Sequence, residues 1–183
     1  NAEKDVIQSY QFLTQKPLII ILNASEGQDV KEALNKARTI IGDVPKTLVT
    51  AICGKLEMEL AQLEPDEQAT FLQDLGMKEA ALTRFISESF DLLGLIVFFT
   101  IGDDEVRAWT LPKNSTALQA AGQIHSDLER GFIRAEVFHY NDFMAVDGHQ
   151  NKLKETGKIR LEGKDYIVQD GDIITIRFNV KKG

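Results

Sequence analysis

The chain has 183 residues, 43% of them hydrophobic and 27% charged, with a formal net charge of −7. The apolar share is enough for a real core and excludes a disordered chain, and the acidic balance excludes a protein that grips nucleic acid over its whole surface. The only cysteine, Cys53, excludes an intrachain disulfide and a cysteine-built zinc site. The charge is uneven: residues 1–94 hold 9 Lys/Arg against 15 Asp/Glu, and residues 95–183 hold 12 against 13. A local basic face is therefore expected only in the second half. No apolar run reaches membrane-spanning length and no signal-peptide pattern opens the chain, so a cytoplasmic location is expected. The chain begins at Asn1 and not at Met, as a piece of something larger would.

In chain order, Val6, Ile7, Tyr10 and Leu13 are spaced as in a helix over Asn1–Gln15, which Lys16-Pro17 stops. Leu18–Leu22 is a continuous apolar run, the pattern of a strand buried on both faces of a parallel sheet. It ends in the polar loop Asn23-Ala24-Ser25-Glu26-Gly27, after which Asp29 can cap a helix carrying Val30, Leu34 and Ala37. Thr47–Cys53 is a second strand, and Gly54-Lys55 opens a helix with Leu56, Leu60 and Leu63. This βαβα order describes the edge of a parallel α/β sheet over residues 1–63. Two helices follow in a connector at 64–94. The first starts at Glu64-Pro65 with Phe71, Leu72 and Leu75 as its stripe; the second spans Lys78–Leu93 with Leu82, Phe85, Ile86, Phe90 and Leu93.

The second half, 95–180, reads strand, strand, helix, strand, hairpin. Leu95–Ile101 is a strand covered on both faces, and Val106–Thr110 alternates with Arg107 and Trp109 on one side. Thr116-Ala117-Leu118-Gln119 fits a capping box that opens one helix with Ala117, Ala121, Ile124 and Leu128, closed by Gly131. Ile133–Phe138 alternates again, and a polar stretch then leads to Ile159–Leu161. Tyr166–Val168 and Ile173–Phe178 flank Asp170-Gly171 as a late hairpin, with Ile174, Ile176 and Phe178 on its apolar face and Ile173, Thr175 and Arg177 on its wetter one. A mixed sheet folded round one helix, a β-grasp or ubiquitin-like domain, is the economical arrangement.

Several ordered motifs then become specific. They are Glu105-Val106-Arg107-Ala108-Trp109-Thr110, Gln119-Ala120-Ala121-Gly122, Ile124-His125-Ser126-Asp127, Glu129 to Val137, and Gly163 to Asp172. Together they resemble the carboxyl-terminal TGS domain of the YchF/Obg-like ATPase family. Ile20-Ile21-Leu22-Asn23-Ala24-Ser25-Glu26 and Ile52-Cys53-Gly54-Lys55-Leu56-Glu57 resemble the last two base-reading motifs of the same family's nucleotide domain. The match runs from about Phe12 to Val180 and implies the carboxyl-terminal part of a ribosome-associated nucleotide hydrolase. In relatives an Asn-x-x-Glu loop favours ATP over GTP. Carried over, Asn23 meets the purine edge, Ala24 and Ser25 line the base, and Glu26 stands where an Asp reads guanine. Cys53, Gly54 and Lys55 add backbone donors and a shielding side-chain stem.

No Gly-x-x-x-x-Gly-Lys-Ser/Thr occurs in this sequence, so nothing in it is expected to cradle phosphates or hold magnesium. The chain is accordingly expected to be a docking module with no catalytic residue and no cofactor of its own, ATP or GTP with Mg belonging to a full-length parent. Its expected partners are the ribosome or structured RNA and its own or a partner's nucleotide domain, with no membrane; a second copy is one way to cover an exposed sheet edge. Candidate RNA contacts are Arg107, Lys113, Arg130, Arg134, Lys158, Arg160 and Lys164. Lys152, Lys154 and Arg177 join the same basic set, with Glu129, Glu136, Glu155 and Glu162 interleaved as on an ordinary mixed surface. Cys53 reads as an inert small hydrophobe, His125 as structural or partner-contacting on the helix, His139 and His149 as loop residues, and three scattered histidines make no metal site. Trp109 and Phe138 read as packing residues. The rival readings are the visible part of a complete ATP- or GTP-hydrolysing enzyme, and a ubiquitin-like carrier, which Lys181-Lys182-Gly183 disfavours for want of a diglycine end.

Overall fold

A computed structural model describes residues 9–25, 28, 30–102 and 104–179. The chain divides into two compact units, Asn1–Leu93 and Gly94–Gly183.

In the first unit, β1 (Leu18–Asn23) and β2 (Thr47–Ile52) pair in parallel across α1 (Val30–Ile41), with Leu18 opposite Thr47 and Asn23 opposite Ile52. Three helices follow: α2 (Gly54–Leu60), α3 (Pro65–Asp74) and α4 (Ala81–Leu93). Consecutive residues Val49, Thr50 and Ala51 are all buried, and because neighbours on a strand point to opposite sides, β2 is covered on both faces. Arg38 of α1 donates to Val49 O and Arg84 of α4 to Ala51 O, fastening both helices to that strand. The expectation that β1 is buried on both faces is corrected: Leu18 and Ile21 are exposed, because the helices lie on β2. The helix expected through Gln15 is corrected over its described part, a turn at residues 9–11 followed by a single 3-10 turn, Leu13–Gln15; Val6 and Ile7 lie outside the described residues, as does the Asp29 cap. On α4 the expected stripe is half right: Leu82, Ile86 and Leu93 are exposed, and the inward face is made by Ala81, Arg84 and Phe85.

The second unit is a five-stranded mixed sheet in the order β4-β3-β7-β5-β6. Its strands are β3 (Leu95–Ile101), β4 (Val106–Pro112), β5 (Phe132–His139), β6 (Arg160–Glu162) and β7 (Asp172–Phe178). β3 and β7 are parallel; the other neighbouring pairs are antiparallel. One face carries α5 (Ala117–Ile124), which packs Ala117 and Ala120 into a core with Ile96, Phe98, Leu111, Ala135, Val137, Val168 and Ile174. Its start is the expected capping box: Gln119 N donates to Thr116 Oγ1, and Thr116 N donates to Gln119 Oε1 at 2.8 Å. The helix does not run on to Gly131. It breaks at His125, whose extended backbone (φ −165°) begins α6 (Ser126–Arg130), so His125 sits between two helices and caps the second, its Nδ1 accepting from Asp127 N.

The opposite face carries a smaller core that the sequence reading left as a polar stretch. Two short helices, α7 (Tyr140–Met144) and α8 (Gln150–Glu155), place Leu153 and Phe143 against Phe138 and Ile173. Ile173 is therefore buried on the side of β7 expected to be wetter, and Phe178 on the other side is half exposed. His139 is the last residue of β5, not a loop residue, and its Nδ1 caps α7 by accepting from Asn141 N. The late hairpin is also corrected. Tyr166–Val168 does not pair with β7; Ala117 N donates to Tyr166 O and Val168 N to Ser115 O, so this segment lies along the entrance of α5. β7 finds its partners in β3 and β5, which bury more apolar surface than a two-stranded reversal would.

Candidate functional site

Two sets of residues carry candidate chemistry, one in each unit. In the first, parallel pairing brings the carboxyl ends of β1 and β2 side by side, where ligands of open α/β sheets bind. Ala24 N donates to Ile52 O at 2.8 Å, extending the ladder one residue, and Ala24 is buried. Asn23 then bends across: its Oδ1 accepts from Gly54 N at 3.1 Å and ties the two loops together. A Cβ on residue 54 would stand 3.2 Å from that oxygen, so the clasp favours glycine there. With Oδ1 committed to Gly54, the Nδ2 amide of Asn23 remains as a donor for an acceptor on a ligand edge. Ser25 N donates to Gln28 Oε1 at 3.1 Å, closing a turn. Cys53 is the N-terminal cap residue of α2 and half-buried. Lys55 is exposed and lies 3.7 Å from Glu59 one helical turn on. Glu57, in the same turn, accepts from Ala81 N and Leu82 N and so begins α4. Glu26 lies outside the described residues.

Beside Asn23 and Ala24 is a cavity of about 350 Å³ lined by Leu22, Gln28, Ala33, Lys36, Ala37 and Ile40. Its walls are mostly apolar with a few polar groups at the rim, the usual make-up of a small-molecule site. Gln28 and Lys36 escaped the sequence reading. Lys36 lies three residues after Ala33 and one before Ala37 on α1, so helical periodicity alone could have placed it on the same face.

In the second unit the basic candidates are dispersed. Arg107 stacks over the Trp109 ring at 4.2 Å, and Trp109 Nε1 donates to Thr100 Oγ1. Arg130 pairs with Asp127, and Lys158 with Asp142 at 3.2 Å. Lys113 and Lys164 are exposed. Arg160 turns inward: it donates to Tyr166 Oη at 2.9 Å and faces Asp172 Oδ1 at 3.7 Å. Asp172 is fully buried; its Oδ2 accepts from Tyr166 Oη and Gln169 N. Burial, with the hydrogen bond to Asp172 and its negative charge added, pushes the Tyr166 hydroxyl up to about 12. This triad holds the Gln169–Asp172 turn and engages Arg160 within the fold. Arg134 lies on β5, and its side chain makes no hydrogen bond or ion pair with another described residue.

Among the described residues no group of three His, Cys, Asp or Glu side chains is placed to hold a metal ion, and no helix is long and apolar enough to cross a membrane.

Residues 95–179 match the family model YchF-GTPase_C, described as a protein of unknown function. The chain is 48% identical over 179 residues to a protein of Haemophilus influenzae named ribosome-binding ATPase YchF, covering 97% of this chain and 49% of that one. It is 44% identical over 181 residues to the Bacillus subtilis protein of the same name, with the same coverage. The solved YchF GTPase of Schizosaccharomyces pombe superposes with a TM-score of 0.81 at 32% identity, over 97% of this chain and 47% of that one. The chain thus spans about half the length of the curated relatives it matches. It belongs to the YchF family, and what it matches is that family's carboxyl-terminal part.

Proposed function

We propose that this chain is the base-reading and docking part of a nucleotide-binding, ribosome-associated cytoplasmic protein. Residues 1–63 form the end of a nucleotide-binding domain, 64–94 a helical connector, and 95–180 a β-grasp, TGS-like docking domain. The observation that supports it best is the Asn23–Gly54 clasp, which sets a free amide donor and a buried Ala24 beside a largely apolar cavity. A purine needs a flat apolar slot and a few directed polar groups, and this corner offers both. Asn23 meets the purine edge, Ala24, Ser25, Cys53 and Gly54 line it, Lys55 shields it, and Glu26 selects the base. The relatives' names divide between ATPase and GTPase, and both nucleotides stay within the proposal.

Phosphates are a different matter. Phosphoryl transfer depends on a cradle of backbone amides and a metal that neutralises charge, and this sequence has no phosphate-loop motif. In a longer parent that supplies one, ATP or GTP with Mg would be hydrolysed while these strand ends orient the base. Calorimetry on the 183-residue chain tests the reading. Adenosine or guanosine should bind as well as the matching triphosphate with Mg, and Asn23→Ala should weaken both alike. Magnesium-dependent turnover, or a triphosphate binding about a hundredfold tighter than its nucleoside, would overturn it; a factor of that size is about 2.7 kcal/mol of phosphate recognition.

The docking half of the proposal draws on the relatives' description as ribosome-binding and on the charge balance of the second unit, which lacks the acidic excess of the first. Sedimentation of the chain with ribosomes at low salt, and its release as salt rises, is the expected behaviour.

A further inference from the structure

On the sheet face opposite α5, Arg134, Thr175 and Arg177, beyond α7 and α8, are exposed among the described residues. β3 ends at Ile101, two residues past its pairing partner for Ile173, whereas β7 continues to Phe178. β5 and β7 therefore project as a ribbon past their neighbour. On that ribbon Arg134 and Arg177 are direct cross-strand partners, both exposed, on the same side as Phe138 and Ile173 farther along. Like charges placed opposite one another weaken a strand pair. Among the described residues only one of the two is offset: Arg177 pairs with Glu136, whereas the Arg134 side chain makes no hydrogen bond or ion pair. A bulge at Ile133 adds twist at this point.

We infer that the Arg134–Arg177 pair on the β5–β7 ribbon is the surface that receives RNA backbone phosphate, and that Glu136 tempers it. The inference rests on the docking reading proposed above and gives it a location. A phosphodiester matches the feature in charge and in geometry. It supplies an anion to Arg134, which has none, and a second one to Arg177 beside Glu136, and its two non-bridging oxygens suit planar donors on adjacent strands. Glu136 competes for Arg177, so the contact is weaker than the two arginines alone would make it. Arg107 and Arg160, which sequence places in the same candidate set, are on the other face and engaged with Trp109 and with Tyr166 and Asp172.

The test uses the 183-residue chain with purified ribosomes and, separately, with ribosomal RNA stripped of protein, each titrated across salt concentrations. Arg134→Gln should weaken binding to both by about tenfold, the worth of one charge-assisted contact. It should also flatten the slope of log affinity against log salt by about 0.7–0.9, one phosphate contact. Glu136→Gln should tighten binding by about threefold, because it frees Arg177 from its competitor. That gain is a change no loss of folding can imitate; thermal melts of both variants guard the Arg134 result. Wild-type binding with an unmoved Arg134→Gln variant, or a Glu136→Gln variant that binds less well, overturns the inference and leaves the docking reading standing. Binding to ribosomes but not to stripped RNA, weakened by Arg134→Gln, overturns it in favour of an acidic protein surface. A wild-type chain that binds neither probe overturns the docking reading itself.

Discussion

The two units solve the burial problem differently. In the second, five strands sandwich between α5 on one side and α7 with α8 on the other. Large side chains such as Phe98, Phe138, Leu153 and Ile174 are sealed almost completely. In the first, α1 and α4 pack on β2 of a two-stranded sheet, the buried apolar residues are mostly small (Ala24, Ala51, Ala81), and Leu18, Ile21, Ile40, Met58 and Leu82 are exposed. The difference follows from strand number. A pair of strands has two edges and no interior strand, and here the helices lie on β2 and leave Leu18 and Ile21 of β1 open. Stability should therefore reside mainly in the second unit.

The sharpest way to break that contrast is a matched pair of truncations. Phe98→Ala should cost about 3–5 kcal/mol in the second unit's unfolding transition, as full burial of an aromatic implies. Ile21→Ala, at a half-exposed position, should cost under about 1 kcal/mol in chemical denaturation followed by circular dichroism. Equal costs would refute the division. Next in size, Asp172→Ala removes the acceptor that Tyr166 and Gln169 N share, leaving both donors and the Arg160 guanidinium without it; about 2–3 kcal/mol is expected in the same experiment.

A pH titration probes the same triad. The Tyr166 hydroxyl ionises at about 12 in the folded chain against about 10 unfolded, so the folded state holds that proton more tightly. The associated stability is complete below pH 10 and declines as pH rises towards 12. Ultraviolet absorbance should show one of the three tyrosines ionising late, and Tyr166→Phe should abolish that late step and the associated slope. Two smaller effects sharpen the comparison locally. Thr116→Ala should cost the second unit about 1 kcal/mol through its capping box. Asn23→Ala should cost the first unit about 1 kcal/mol and speed hydrogen exchange at the Gly54 amide, which loses its acceptor.

Local chemistry was legible throughout. Thr116 and Gln119 announced their capping box, Glu64-Pro65 its helix start, and the alternation in Val106–Thr110 and Ile133–Phe138 its strands, because each signal is carried by residues within one turn or one strand of each other. The two strand-end loops of the candidate site were legible as well, from Asn23 to Ser25 and from Cys53 to Lys55. Gln28 and Lys36 were not, because a helix face becomes a cavity wall only when a particular strand lies beneath it. Tyr166–Val168 has the composition of a hairpin arm, yet its backbone pairs at the entrance to α5. His125 breaks a helix whose apolar spacing continues unbroken to Leu128.

By itself, then, the sequence determined the order of the main strands and of the longer helices, the family, and the strand-end loops that carry the candidate site. Which strand of each sheet is covered, which arginines face one another across β5 and β7, and which are drawn into the Tyr166–Asp172 triad were decided only when distant segments packed. Pairing partners many residues apart leave no mark on local periodicity, and a charge acquires its role from what the sheet sets opposite it.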